Sequence, residues 1–251
     1  EDNWFITMCE QYGYPYTSAV GDHYLFNNAE NKAFVKELRD MYKKGYFTTQ
    51  ELYGGYTSSL FTSQDPDAAH SYMCVGSSGG ASYQMSNSDT GDGTFAFEVG
   101  VAPIPQYDNS NRKVISQGPS LCILKGANTT DQQVIASWLF TKFLCTNVDF
   151  QAEFSMASGY VPVIKSVGEN EVYKSFIAQA DGGNHISALS AKVCLEQADA
   201  YYTSPAFNGS SAARDQVGAL LTKCLTMTGA DLDAQIKAAF EDAVDECEYN
   251  S

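Results

Sequence analysis

The sequence predicts a mixed chain of the α/β or α+β class, and three observations carry that expectation. Short apolar runs bounded by Gly and Pro, at 69–75, 95–105 and 114–124, have the length and setting of strands. Long segments with helical period stand at 27–45 and 129–158. The last third of the chain is almost wholly helical in pattern, and no repeat recurs at a fixed period.

Taken in order, the segment 27–45, "NNAENKAFVKELRDMYKKG", is a helix with Asn28 as its cap. Phe34, Leu38, Met41 and Tyr42 form an apolar stripe, and Gly45 is a stop. "AHSYMCV" at 69–75 reads as a buried strand running into the glycine turn "GSSGGASYQM" and then a helix. "NSDTGDGT" at 87–94 is a loop. "FAFEVGVAPIP" at 95–105 ends as a strand at its prolines, and "VISQGPSLCIL" at 114–124 is a pair of strands broken at Gly118-Pro119. Segment 129–145 is a helix started by Thr130 or Asp131, with Val134, Trp138, Phe140 and Leu144 offered to a core. Segment 147–158 is a second, shorter helix. Four more follow, in "GENEVYKSFIAQA", "SALSAKVCLEQADAYY", "SAARDQVGALLTKCLT" and "GADLDAQIKAAFEDAVDEC". In the last of these, Leu232, Ile236, Ala239, Phe240 and Val244 share one face.

Totals set limits on function. The 251 residues suffice for one large domain or two smaller ones. A net charge of −15 repels phosphate backbones, which argues against nucleic acid as a partner. No run of about 18 uncharged apolar residues is present to form a transmembrane helix, and "EDNWFITMCE" lacks the basic start of a signal peptide. The seven cysteines are widely spaced and form no CxxC pair, so they read as free thiols packed as small hydrophobes; Cys224 and Cys247 are the pair best placed to bridge the last two helices.

Candidate chemistry is sparse. Gly76-Ser-Ser-Gly-Gly80 satisfies G-x-S-x-G between a strand and a helix, the setting of a nucleophile elbow, with Ser78 as nucleophile and His185 as the one later histidine. No HGGG-type loop precedes it. The same turn reads as a nest, in which backbone N–H groups and the Ser77 and Ser78 hydroxyls accept a polar ligand, or as a plain turn. The loop at 87–94 fails the calcium-loop register, because Val99 falls where the bidentate Glu belongs. His23, His70 and His185 are scattered, so neither a metal nor a cofactor is expected. Sixteen tyrosines, several beside Gly or Pro in "YGYPY", "LYGGY" and "SGYVP", suit stacking on a small ligand or packing at a core edge.

The segment "GPSLCILKGANTTDQQVIASWLFTKFLCTNVDFQAEFSMASGYVPVIKS" resembles the signature region of extracellular solute-binding proteins of the family 1 type, receptors of bacterial ABC importers that include maltose- and glycerol-3-phosphate-binding proteins. "FNNAENKAFVKELRDMYKKGYF" and the last helices resemble the same family. The resemblance implies an α/β, periplasmic-binding-protein-like fold of type II, here mainly the C-terminal lobe with a helix-rich end. It also implies that the family's N-terminal lobe and lipoprotein signal are missing. Residues 1–102 and 158–251 would then form the C-terminal lobe, and 103–157 would belong to the N-terminal lobe and lack its packing partners.

The implied function is non-enzymatic. A solute, a carbohydrate or alternatively glycerol-3-phosphate or a phosphodiester, is held in an interlobe cleft by hinge closure and passed to an ABC permease. The implied receptor is a monomer, extracellular or periplasmic and lipid-anchored. By the same resemblance Tyr160 is a cleft aromatic held by Gly159 and Pro162. Ser77 and Ser78 form the polar turn at the cleft, and Gly118 is the glycine at the lobe crossing. Arg214 resembles a late arginine facing phosphate ligands, and Trp4 an aromatic near the hinge. The remaining alternative is a serine hydrolase using Ser78.

Overall fold

A computed structural model describes residues 1–85, 97–181 and 185–250. In chain order its α-helices are α1 Asp2–Tyr12, α2 Ala29–Lys43, α3 Gln50–Tyr53, α4 Ser58–Thr62, α5 Asp131–Thr146, α6 Val148–Ser158, α7 Glu171–Ala178, α8 Ile186–Glu196, α9 Ser210–Thr226 and α10 Leu232–Tyr249. Strands β1 Val114–Ile115 and β2 Tyr201–Tyr202 pair in parallel, Val114 opposite Tyr201. None of the helices among the described residues is long and apolar enough to cross a membrane. The chain divides into two compact units. Unit 1 holds Glu1–Thr57, Pro105–Ser116 and Ala200–Ser251, and unit 2 holds Ser58–Ile104 and Gln117–Asp199.

Unit 1 is built on α1, α2, α9 and α10. Helix α1 forms because Phe5, Ile6 and Cys9 fall on one face, and it stops at Gly13, whose φ of 71° suits a left-handed cap. Asp2 sits in its first turn, where the helix dipole favours a negative charge. Helix α2 begins where expected, with the Asn28 side chain accepting from the Asn31 backbone N–H. Its buried residues are Asn31, Val35 and Leu38, and Phe34 and Tyr42 of the predicted stripe pack against the same core, whereas Met41 is exposed. These residues pack with Val217, Leu221 and Leu225 of α9 and Ile236 and Phe240 of α10 in one core. Helix α9 meets the start of α1 at Gly218, where a Cβ would lie 3.4 Å from Asp2, in ordinary contact. Gln11 fastens the segment 105–116 to α1: its amide donates to the carbonyls of Pro105 (3.0 Å) and Lys113 (3.2 Å) and accepts from the Tyr107 N–H (3.1 Å).

Unit 2 has a smaller core of Ala152, Val167 and Tyr173, with Val148, Met156 and Phe176 against it. Helix α8 packs on α7 and on a 3-10 helix, Ser78–Gln84. Thr130 and Gln133 cap α5 reciprocally, as a capping box. The four α5 side chains expected to enter a core do not: none of the helix is buried, and Phe140 is 64% exposed.

The strands need a larger correction. Segment 69–75 and residues 119–124 form no strand, and 114–124 contributes only Val114–Ile115. Of 95–105, residues 97–105 form no strand, and the remainder lies outside the described residues, as does the loop 87–94. Apolar runs fit a strand only when a neighbouring strand takes their backbone hydrogen bonds. Without one, Tyr72 (90%) and Leu124 (85%) stand exposed. The 27–45, 129–145 and 147–158 helices, and most of those in the last third, form close to their predicted bounds; the exception is the helix expected to run to Tyr202, which ends at Glu196 and gives way to a 3-10 turn at Ala198–Ala200 and to β2.

Candidate functional site

Helix α6 sets the geometry of the site. It ends at Gly159 (φ 76°), whose N–H donates to the Ser155 carbonyl. The chain then turns into Tyr160-Val-Pro-Val. Gln151, 8% exposed, fixes this corner by accepting from the Val163 N–H (3.1 Å) while donating to the Leu144 carbonyl (2.5 Å). The Tyr160 N–H donates to the Ser158 hydroxyl at 3.3 Å.

The glycine-serine turn meets this corner. A Cβ on Gly159 would lie 2.7 Å from the Ser78 carbonyl oxygen, so the two backbones touch. A Cβ on Gly79 would lie 2.9 Å from Tyr160 Cζ and 3.2 Å from both Cε atoms, which puts it above the ring face. Gly79 is thus the seat of one face of Tyr160, and the residue remains 43% exposed. Ser77 is exposed and caps the 3-10 helix, its hydroxyl accepting from the Gly79 N–H at 3.3 Å. The result is a half-exposed aromatic ring packed on the backbone of a turn that carries two serines, an arrangement that can stack on one face of a ligand and hydrogen-bond its edge.

The structure therefore brings Tyr160, Ser77 and Ser78 together. Gly118 is an exposed residue of unit 2, two positions after the chain leaves unit 1 at Ser116, and it has no neighbour within 4 Å of a built Cβ. Trp4 and Arg214 belong to unit 1. The Trp4 ring meets Phe47 edge-on at 4.9 Å, against the core. The Arg214 guanidinium pairs with Asp2 (2.8 Å) and donates to the Asn3 side chain, tying α9 to the start of α1. A phosphate would have to compete with both contacts. The nucleophile-elbow setting is not met: no strand precedes Ser78, and the helix after it is 3-10. His185, at the start of α8, is exposed.

Sequence reasoning passed over Gly79 and Gln151. The glycine lay inside the quoted motif, but its partner is 81 positions away; Gln151 carried no signal at all. Cys224 and Cys247 are both buried thiols that form no disulfide, and burial pushes their pKa values up to about 12 and about 11. Cys122 is exposed.

No curated protein matches the chain. A family model described as bacterial extracellular solute-binding protein matches residues 1–180, well over half of the 251. With that match, the chain belongs to the bacterial extracellular solute-binding proteins.

Proposed function

We propose that this solute-binding protein captures a carbohydrate, with Tyr160 stacking on the sugar and Ser77 and Ser78 bonding its hydroxyls, for delivery to an ABC permease. The observation that carries the reading is the Tyr160 ring seated on Gly79 and still 43% exposed. Holding the ring in place before binding lowers the entropy lost on complex formation. Closure of two lobes about the solute, biased by contacts to both, is the transport step this reading assigns. A lipid anchor and a monomeric receptor are part of the same proposal.

Under it, residues 103–157 complete the lobe opposite to 1–102 and 158–251. Helix α5 supports this, because it buries no residue among those described although Ile135, Trp138, Leu139, Phe140 and Phe143 are apolar. Gly118 serves the crossing, and Trp4 lies near the hinge. Glycerol-3-phosphate is the weaker ligand reading, since Arg214 is already paired with Asp2.

The test is a thermal-shift screen with oligosaccharides, monosaccharides, glycerol-3-phosphate and its diesters. A ligand at about 100 times its Kd stabilises by about 2.7 kcal/mol. A shift with a sugar that disappears in Tyr160→Ala is the expected result. A shift with phosphates alone, lost in Arg214→Ala, would replace carbohydrate by glycerol phosphate, and turnover of esters lost in Ser78→Ala would replace the receptor by a hydrolase.

A further inference from the structure

Unit 1 contains a cleft of about 430 Å³ that the solute reading does not use. It opens where α1 ends at Gly13, and the segments 14–17, 111–113 and 202–205 close it. Its volume lies within the range of small-molecule sites. Three rings line it, those of Tyr14, Tyr16 and Tyr202, together with Asn111 and the ion pair of Glu10 and Lys113 at 3.1 Å.

The aromatic surface continues beyond the cleft. Tyr14 stacks with Tyr12 (5.3 Å between centroids), and Tyr12 stacks with Tyr107 at 4.1 Å. Tyr107 is 66% exposed, and Gln11 holds its backbone in place. Such an exposed stack leaves apolar ring surface in water, which is costly unless something covers it.

The polar groups define what would fit. One carboxylate and one ammonium line the cleft and already neutralise each other, so an ionic ligand finds no unmatched charge there. Lys113 also opposes a cation drawn to the tyrosine faces. The hydroxyls of Thr17 and Ser204, both cleft residues, are shielded from solvent and have no hydrogen-bond partner. Unpaired buried hydroxyls are uncommon and costly. Neither has to give up a protein hydrogen bond to turn toward a ligand.

We propose that this tyrosine-lined cleft of unit 1 is a binding site for a neutral saccharide, with Tyr107 and Tyr14 stacking on sugar rings and Asn111 and the Glu10–Lys113 pair bonding the hydroxyl edge. Pyranose rings offer C–H faces to aromatic rings and hydroxyls around their rim, which is the division of apolar and polar surface found here. The proposal does not rest on the Tyr160 reading, because every residue it uses belongs to unit 1 and Tyr160 belongs to unit 2.

The experiment is calorimetric titration of the full chain with glucose, maltose and cellobiose, in a Tyr160→Ala background that takes the proposed solute site of unit 2 out of the measurement, with and without Tyr107→Ala or Asn111→Ala. Tyr107 and Asn111 are both exposed, so their variants are expected to fold, and far-UV circular dichroism checks this. The expected result is saturable binding of at least one of the sugars to the Tyr160→Ala protein, weakened about tenfold or more when Tyr107→Ala or Asn111→Ala is added. No saturable binding of any of the three in that background overturns the proposal, and so does binding that neither added substitution weakens. Failure of the Tyr160 reading is seen separately, as sugar binding to wild type that Tyr160→Ala does not reduce.

Discussion

At Gly159 two constraints coincide: a φ of 76° that L side chains rarely adopt, and a Ser78 carbonyl 2.7 Å from any added Cβ. The obstructing atom is backbone and cannot swing aside. Gly159→Ala is therefore expected to destabilise the protein by about 1–3 kcal/mol, read by urea unfolding. Gly168→Ala is the control, since that glycine has an ordinary φ and nothing within 4 Å of a built Cβ. Equal midpoints for the two variants would refute the argument. Asn31 poses the same kind of question for unit 1. It is fully buried, donates to the Pro15 and Phe26 carbonyls at 3.0 Å each, and accepts from the Cys9 thiol. Asn28 also donates to both carbonyls, so Asn31→Ala leaves each with one donor instead of two and takes the acceptor from the buried Cys9 thiol; losing these bonds should cost about 2 kcal/mol. An unfolding midpoint close to wild type would show that water replaces them.

At the level of elements, the helices were legible and the strands were not, for a physical reason. A helix closes its hydrogen bonds within its own segment, so caps and period suffice to place it; Asn28, Thr130 and Gly159 all act where the sequence puts them. A strand depends on a partner far along the chain. "SYMCV" and "SLCIL" have strand composition but no neighbour to pair with among the described residues, whereas the unremarkable Tyr201-Tyr202 finds Val114-Ile115. Helix α1 was overlooked although Phe5, Ile6, Cys9 and the Gly13 stop announced it. The candidate site was half legible: the "GSSGG" and "SGYVP" stretches stood out separately, but nothing in either showed that Gly79 would seat Tyr160. Two element-scale tests follow from contacts that period alone cannot supply. Thr130→Ala removes the capping box and should cost about 1 kcal/mol, detected as loss of helicity and a lower Tm. Gln11→Ala removes the three Gln11 hydrogen bonds to 105–113, while the Glu10–Lys113 ion pair and the Tyr12–Tyr107 stack stay in place. It should cost about 2 kcal/mol and speed hydrogen exchange at the Tyr107 amide. Unchanged exchange there would mean that the Glu10–Lys113 ion pair, the Tyr12–Tyr107 stack and the β1–β2 pairing suffice to hold the segment.

For the molecule as a whole, the distribution of buried acids makes alkaline stability unequal between the units. Unit 1 buries Cys9, Cys224 and Cys247, with desolvation raising them to about 12, about 12 and about 11 from an ordinary 9.0. Tyr16 and Tyr202 in the same unit are raised by the same cause, Tyr202 to about 12. In unit 2, Tyr173 is raised to about 12. A group raised in the folded state holds its proton there after the unfolded chain has lost it. The folded state thus binds more protons between the two values, and stability falls as pH rises. The loss begins near pH 9 for the thiols and near 10 for the phenols, and it continues up to the folded values. Below pH 9 these groups contribute their full stabilisation, so no loss from them is expected between pH 7 and 8.5. Each unit carries one tryptophan, Trp4 in unit 1 and Trp138 in unit 2. A Trp138→Phe protein therefore reports unit 1 through Trp4, whose ring lies against Phe47. Its thermal transition should stay level from pH 7 to 8.5 and fall steeply from 9 to 10.5. Replacing Cys9, Cys224 and Cys247 by Ala, Val or Ser according to fit should flatten the 9–10 part of that slope while leaving the part above 10, which the tyrosines carry. A Tm that falls equally in this triple variant would assign the alkaline loss to repulsion within a chain of net charge −15 rather than to the buried thiols.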